Sequence, residues 1–223
     1  GDAYEYHLNM GIMIKGETAL ALGLFDEARA ALDESLAMAR AAGDIFRIAM
    51  TLNCLGDLAR CEDHFAEAQP AYEEGIALLR SINAARDLAS LLHNLGHACL
   101  RLGDTERAAR CFEESLAIQQ AQHNTAGMAE CLLGFAALAV ARNRPCDAAR
   151  LLAAVKAGGW ESHVAKWPAT FREYERTTAL VRSRCADVEQ QAAQTAGAQL
   201  SLEAAVAETL RPTAPVVEAN VVE

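Results

Sequence analysis

The sequence is poor in β-branched residues, poor in basic charge, and without any apolar run long enough to cross a bilayer. Ala and Leu dominate the 52% of residues that are hydrophobic, and the scarcity of Val, Ile and Thr favours helix over sheet. No stretch of about twenty apolar residues avoids charge or Gly, which leaves no readable transmembrane helix. Lys and Arg number 20 against 30 Asp and Glu, a net charge of −10. Holding a nucleic-acid backbone needs a basic surface, so that class of partner is excluded for this chain.

The sequence also lacks metal-type cysteine spacing. Its seven cysteines are scattered without a CxxC pair, and they read as small, reduced core residues of a cytoplasmic protein, not as a disulfide frame. There is no Gly-rich phosphate loop, no nucleophile elbow and no HExxH. The opening GDAYEY has neither an initiator Met nor a charged-then-apolar leader. It reads as the start of a piece of a longer protein, with Gly1 a tag remnant. The 223 residues suffice for one large domain or two small ones with an apolar core.

What the chain does have is a period. ALDESLAM at 31–38, AYEEGIAL at 71–78 and CFEESLAI at 111–118 stand forty residues apart. Ala28, Ala68, Ala108 and Ala148 keep that interval. Twelve residues before each stand Gly16, Gly56, Gly96 and Ala136, and four after stand Leu32, Tyr72, Phe112 and Leu152. Three further on come Ser35, Gly75, Ser115 and Val155. A period of twenty to fifty residues marks a stacked solenoid.

Each period holds two amphipathic helical stretches. Leu52, Leu55, Gly56 and Ala59 share one face of the first, and Ala68, Tyr72, Gly75 and Ile76 share one face of the second. A short polar turn separates them: CEDHF, LGDT and RNRPC in successive units. Pro145 suits a first helical turn, and Gly43 and Asn83 tolerate the left-handed conformation that ends helices. Small residues at the Gly and Ala positions allow the paired helices to approach closely.

This pattern resembles the tetratricopeptide repeat, including a large residue four before the Gly at Ile12, Leu52, Leu92 and Leu132. It departs from it in a period of forty instead of thirty-four, in Arg40, Arg80 and Gln120 where a Pro usually closes the unit, and in Lys15 where Leu55, Leu95 and Phe135 stand later. The long units, FEESLA in the second helix and the closing AQLSLEAAVAETL at 198–210 are similar to the C-terminal sensor arms of bacterial LuxR- and MalT-like regulators and signalling (STAND-type) ATPases. The resemblance implies an all-α, right-handed α-solenoid of helical hairpins with a C-terminal helical cap. Four repeats are expected at about 10–44, 45–84, 85–124 and 125–157, followed by capping helices over 158–210 and a mobile tail over 211–223.

Pro168 can open a long helix to about Arg184, with a stripe of Phe171, Tyr174, Leu180 and Val181 suited to covering the open face of repeat four. Trp160 and Trp167 are read either as a partner-binding knob or as packing of the cap on the last repeat. Ser201 is the expected N-cap of a last short helix. At the other end, Met10, Ile12, Met13 and Ile14 form an apolar cluster, to be covered by an upstream neighbour or by a second copy in a dimer.

In tetratricopeptide arrays the first helices line a concave groove. The resemblance therefore places Asn53, Asp57, Arg60 and Cys61 there from repeat two, and His93, His97, Leu100 and Arg101 from repeat three. Met13 and Glu17 come from repeat one, and Leu133 and Ala137 from repeat four. Positions i, i+4 and i+7 or i+8 share a helix face, which gives the same grouping. The partner-binding set is Asn53, Asp57, Arg60, His93, His97, Arg101 and Glu17.

His93 and His97, at i and i+4, can share a metal with Asp57 as a third ligand. The competing and preferred reading is two polar groove residues bonded to neighbours such as Asp57 and Asn53, since no Glu or downstream ligand completes a metal pattern. Cys99 and Cys111 fall on core positions, Cys54 and Cys61 on a more open face. The Glu pairs 73–74 and 113–114 recur at solvent-facing positions and read as solvated surface, not catalytic carboxylates.

The expected function is a non-catalytic protein- or ligand-binding arm of a larger cytoplasmic regulator, without a cofactor. Its partner would be a protein or peptide, or upstream domains of its own chain, and neither nucleic acid nor membrane. The alternatives are a scaffold working through its ends or convex face, and a metal-dependent enzyme built on His93 and His97.

Overall fold

A computed structural model describes residues 2–159 and 167–210. Among these, eleven helices follow one another and no strand occurs: α1 (Asp2–Ala21), α2 (Phe25–Ala42), α3 (Ile45–Cys61), α4 (Phe65–Ser81), α5 (Ala85–Arg101), α6 (Thr105–Ala121), α7 (Thr125–Ala141), α8 (Pro145–Ala157), α9 (Pro168–Arg184), α10 (Asp187–Ala198) and α11 (Leu202–Thr209). Each helix of the first eight packs on the next in sequence, giving an all-α, right-handed solenoid. No described helix is long and apolar enough to cross a membrane. Trp160 and the segment 211–223 lie outside the described residues.

The turns reveal a finer period than the forty-residue repeat. Gly23, Gly43, Asp63, Asn83, Gly103, His123 and Asn143 all have positive φ, between 51° and 87°. They stand twenty residues apart. Every turn, within and between hairpins, is therefore closed by one residue in the left-handed region, held by Gly or by a short polar side chain that tolerates it. Helix starts are fixed as well: Asp44, Asp104, Asn124 and Ser201 each accept a hydrogen bond from a backbone N–H of the first turn. Pro145 occupies the first turn of α8.

The repeat register is a contact between a missing side chain and a large one. A Cβ added to Gly56 would lie 2.5 Å from the Tyr72 ring, one on Gly96 would lie 2.5 Å from the Phe112 ring, and one on Gly16 would lie 2.7 Å from Leu32. Phe112 is gripped from both sides, because a Cβ at Gly134 on the next hairpin would come within 2.6 Å of the same ring edge. Tyr72, Phe112 and Leu32 are all fully buried. The largest apolar cluster runs from α3 to α11 around Phe112, Leu116, Leu132 and Val155.

The C-terminal helices depart from the sequence reading. Helix α9 does not simply cover repeat four. It packs on α7 and α8 but also reaches α3, crossing the face presented by the odd-numbered helices. Its buried face is Ala169, Thr170, Glu173, Thr177 and Val181, so of the expected stripe only Val181 is fully buried, while Phe171 is exposed. The open face of α8 is covered instead by α10, whose Gly197 sits against the Arg150 carbonyl with no room for a side chain.

The cysteine reading is also corrected. Cys146, in the first turn of α8, is disulfide-bonded to Cys185 at the C-terminus of α9. Nothing local marks this pairing, because the two are 39 residues apart and neither has a cysteine neighbour. The other five are free and buried, including Cys54 and Cys61, which were expected on a more open face.

Gly96→Ala tests the register. Alanine gains about 1 kcal/mol in helix propensity, but displacing a ring wedged between two glycines costs about 1–3 kcal/mol. The expected net result is a lower thermal midpoint, with Phe112→Leu in the Gly96→Ala background recovering part of the loss in a melting series.

Candidate functional site

Tyr72 reaches past Gly56 into the turn of α3 that carries Asp57 and Arg60. Its hydroxyl donates to Asp57 Oδ1 at 2.6 Å. Arg60 Nη1 donates to the same oxygen at 3.2 Å and to Asn94 Oδ1 at 2.9 Å, and Asn94 Nδ2 donates to Asn53 Oδ1 at 2.9 Å. From the far side, the indole N–H of Trp167 donates to Asp57 Oδ2 at 2.5 Å. These bonds join α3, α4, α5 and the residue leading into α9 in one polar network.

Asp57 is 0% exposed and Arg60 3%. Burial pushes the Asp57 carboxyl up, against the opposing pull of Arg60, Tyr72 and Trp167. Burial also works against the Arg60 charge, yet Tyr72, Asp57 and Glu173 hold the guanidinium protonated. The pair is a buried ion pair whose members depend on one another, since either alone would be an uncompensated charge in a low-dielectric site.

His93 and His97 lie beside this network. Their Nε2 atoms are 3.2 Å apart and their rings meet edge-on, both against Phe112. Burial, reinforced by the nearby Arg60 charge, lowers His93 to about 3, and burial with His93 and Arg60 takes His97 well below the ordinary range. Both are neutral near pH 7, one Nε2–H donating to the other. The metal reading loses its geometry: among the described residues, His93, His97 and Asp57 are not gathered into a ligand set. The bonding expected in its place also differs, because the imidazoles bond to each other while Asn94, not a histidine, reaches Asn53.

The expected groove is thus divided. Asn53, Asp57, Arg60, His93 and His97 are brought together, but buried beneath the chain's own C-terminal segment and not open to solvent. Arg101 stays exposed, its guanidinium stacked over the Phe65 ring at 5.0 Å. Glu17 is half-buried and accepts the Cys54 thiol at 3.4 Å. Asn94, Tyr72 and Trp167 were missed as site residues. Asn94 stands two residues before its Gly, off the groove positions that the repeat pattern singles out, and nothing local marks where a linker Trp will land. Trp167 packs with Ala19, Leu20, Ala28, Leu58 and Cys61 of the first hairpins, not with the last repeat.

Some polar atoms on this floor have no partner. Arg60 Nε and Nη2, which form one complete edge of the guanidinium fork, are buried and unbonded, as are His93 Nδ1 and His97 Nδ1 and the Thr178 hydroxyl on α9. Buried polar atoms normally find partners, so α9 matches this floor incompletely. Glu173 on α9 comes near enough to act on Arg60 but spends its carboxylate on Arg176, at 3.1 Å.

The histidines give a pH test. Both have folded-state pKa values below the unfolded value of about 6.5, so their contribution is intact above pH 6.5 and lost as pH falls toward 3. Each costs up to about 1.4 kcal/mol per pH unit in that window. The raised Asp57 works with the opposite sign, so the clean measurement is a difference. Chemical denaturation from pH 7 to pH 5 should show a slope for the wild type that is markedly reduced in the His93→Gln/His97→Gln double variant.

Comparison with known proteins agrees with this architecture. A family model described as tetratricopeptide repeat matches residues 11–81 and 87–155, well over half of the chain. Among solved structures, the crystal structure of a putative kinesin light chain from Podosopora anserina, with nearly identical TPR-like repeats, is similar to it. The TM-score is 0.56 at 18% identity, covering 91% of this chain and 97% of that one. No curated protein matches. Two hairpin pairs matched by the family model, closed by the Gly-to-large-residue contacts of the fold, place the assignment beyond composition: the chain belongs to the tetratricopeptide repeat family, a class of protein–protein interaction modules.

Proposed function

We propose that this chain is a non-catalytic binding arm of a larger regulator, and that the floor formed by Asn53, Asp57, Arg60, His93 and His97, with Arg101 and Glu17 at its rim, is its recognition surface. The observation that carries the reading is the buried, unbonded Arg60 fork lying under a helix of the same chain. A two-donor guanidinium edge suits a planar acceptor pair such as a carboxylate. A partner segment that takes the place of α9 and supplies that acceptor would bind the floor better than α9 does. The exchange of one occupant for the other gives two states with different contacts, which is what a regulatory arm requires. The parent would be a transcriptional regulator or signalling ATPase of the kind the repeats resemble.

Charge reversal at Asp57 is a poor probe, because it would unseat Tyr72, Arg60 and Trp167 together. Trp167→Ala loosens the N-terminal end of α9 and takes one hydrogen bond from Asp57, whose bonds to Tyr72 and Arg60 remain. With a candidate partner or the parent's remaining domains immobilised, Trp167→Ala should raise capture several-fold. Adding Arg60→Met should abolish that gain, with helicity checked by circular dichroism. Equal capture by all three proteins would refute the floor as the binding surface.

A second reading is favoured by a separate observation. The N-terminal helix exposes Tyr4 (71%), Tyr6, Leu8 and Ile14 (50%), an apolar surface suited to a scaffold that assembles through its end, or to a dimer. Ile14→Glu should then shift the sedimenting species from dimer to monomer. A monomer at all concentrations in the unaltered protein sinks this reading.

A further inference from the structure

We propose that the Cys146–Cys185 bond is a reversible redox site that latches α9 across the inner face, so that reducing it releases the helix and uncovers the Arg60 floor. The consequence for binding rests on the recognition surface proposed above; the latch itself does not.

Helix α9 is otherwise held by a mixed face. That face has a fully buried polar middle, Thr170, Glu173 and Thr177, flanked by Ala169 and Val181, with Tyr174 and Leu180 half-buried against the apolar core. Helices of the solenoid bury Leu, Phe and Tyr at equivalent places. At its N-terminal end the hold is the Trp167 indole on Asp57 and the packing of Trp167 and Ala169 on the small apolar cluster of the first hairpins, together with Arg172 and Arg176 on Asp63. Asp63 is 48% exposed, and such ion pairs are screened and contribute little. Thr178 and the Arg60 edge remain unbonded at this interface. The contact is that of a strap, not of a core helix.

The covalent tie sits where it can govern this strap alone. Cys185 is the residue that ends α9, and Cys146 lies in the first turn of α8. Helix α8 keeps its place by its own apolar face of Ala148, Ala149, Leu151, Ala154 and Val155 and by α10, so cutting the bond does not remove what holds it. Cys146 is half-buried and reaches the surface beside Glu189, whose carboxylate lies 3.7 Å from its sulfur and can accept the thiol once the bond is open. The remaining five cysteines are buried. Burial raises Cys54, Cys61 to about 11 and Cys131 to about 12, and a hydrogen bond with Cys111 lowers Cys99, but among the described residues only Glu189 is gathered with the two bonded sulfurs, so no internal thiolate is placed to attack the bond. An external thiol is therefore the reactant.

The step balances with a dithiol reductant. Its thiolate attacks the half-buried Cys146 sulfur, Cys185 leaves as a thiol, and the second thiol of the reductant resolves the mixed disulfide. The S–S bond of the protein becomes two thiols, the reductant becomes a disulfide, and two electrons and two protons are transferred.

Hydrogen exchange read by mass spectrometry tests this on the whole chain without any partner. Alkylation first establishes the state: in the oxidised protein neither Cys146 nor Cys185 is labelled, and after incubation with dithiothreitol both are. Reduction is then expected to speed exchange across 168–184 at least tenfold, while α3, α5 and α8 keep their protection. Cys146→Ser/Cys185→Ser should reproduce the fast exchange without reductant. The proposal is overturned by unchanged exchange in 168–184 once both thiols are labelled, by loss of protection spreading through α8 and α7, or by free thiols at both positions in air-oxidised protein. Should the double variant fail to fold, the wild-type reduction series decides alone. Failed capture of a partner in the Trp167→Ala experiment would leave these outcomes untouched, so the two proposals fail separately.

Discussion

The contact of Tyr72 with Gly56 is the one on which both the fold and the site depend. A helical hairpin cannot bury its apolar face alone, and close stacking is possible only where one helix lacks a side chain opposite a large one. At Gly16 and Gly96 that need is met by Leu32 and Phe112, which do nothing beyond fill space. Tyr72 fills the same space and adds a hydroxyl at its far end, which lands on Asp57, one residue past the glycine it covers. The packing register of the second repeat thereby delivers a donor to a buried carboxylate. Asp57 in turn fixes Arg60 and receives Trp167, so a steric constraint at the start of the chain determines where a residue 110 positions later is anchored.

The departures from the family pattern have a physical account. Where the repeat usually ends in Pro, Arg40 and Arg80 extend to Glu74 and Glu114 of the following hairpin, each by two hydrogen bonds from one guanidinium nitrogen. A longer helix continues past the point at which Pro would stop it, and the Arg in that position links neighbouring units on the outer side. The series ends at Gln120, and the residue at the matching place in α8 is Ala154. These pairs are half exposed and individually contribute little. Their regularity still explains why the second Glu of each pair recurs: Glu74 and Glu114 are partners in an inter-repeat ladder.

The solenoid was legible in the sequence because its signals are local and repeated. Gly56, Ala68 and Tyr72 state the packing rule, and Gly96, Ala108 and Phe112 state it again, so an error in one unit is corrected by the next. The twenty-residue spacing of Gly23, Gly43, Asp63, Asn83, Gly103, His123 and Asn143 was equally available, but Asp63 and His123 do not stand out by composition and break the series. The last third of the described chain had no such redundancy. Helix α9 buries Thr170, Glu173 and Thr177 most deeply, with Tyr174 and Leu180 of its apolar stripe only half-buried and Phe171 exposed, so apolar periodicity marks its buried face only in part. The pairing of Cys146 with Cys185 and of Trp167 with Asp57 joins residues 39 and 110 apart, distances at which one sequence without repetition carries no register. For the same reason Asn53, Asp57, Arg60, His93 and His97, assigned to solvent from their helix positions, lie buried, since Trp167, which covers Asp57, lies far down the chain.

This difference between the two parts of the molecule also bears on what they do. Each repeat gains its stability from neighbours of the same design, so the array behaves as a rigid spring of nearly equivalent contacts. The strap has one copy, a polar interface and a few discrete anchors. Its removal would uncover an apolar face around Ala169, Tyr174, Leu180 and Val181, and it would also expose a set of charged and hydrogen-bonding groups that bury poorly without a partner. A surface of that kind is expensive to leave either empty or wrongly filled, which favours a chain that carries a provisional cover of its own and yields it to a better-matched occupant.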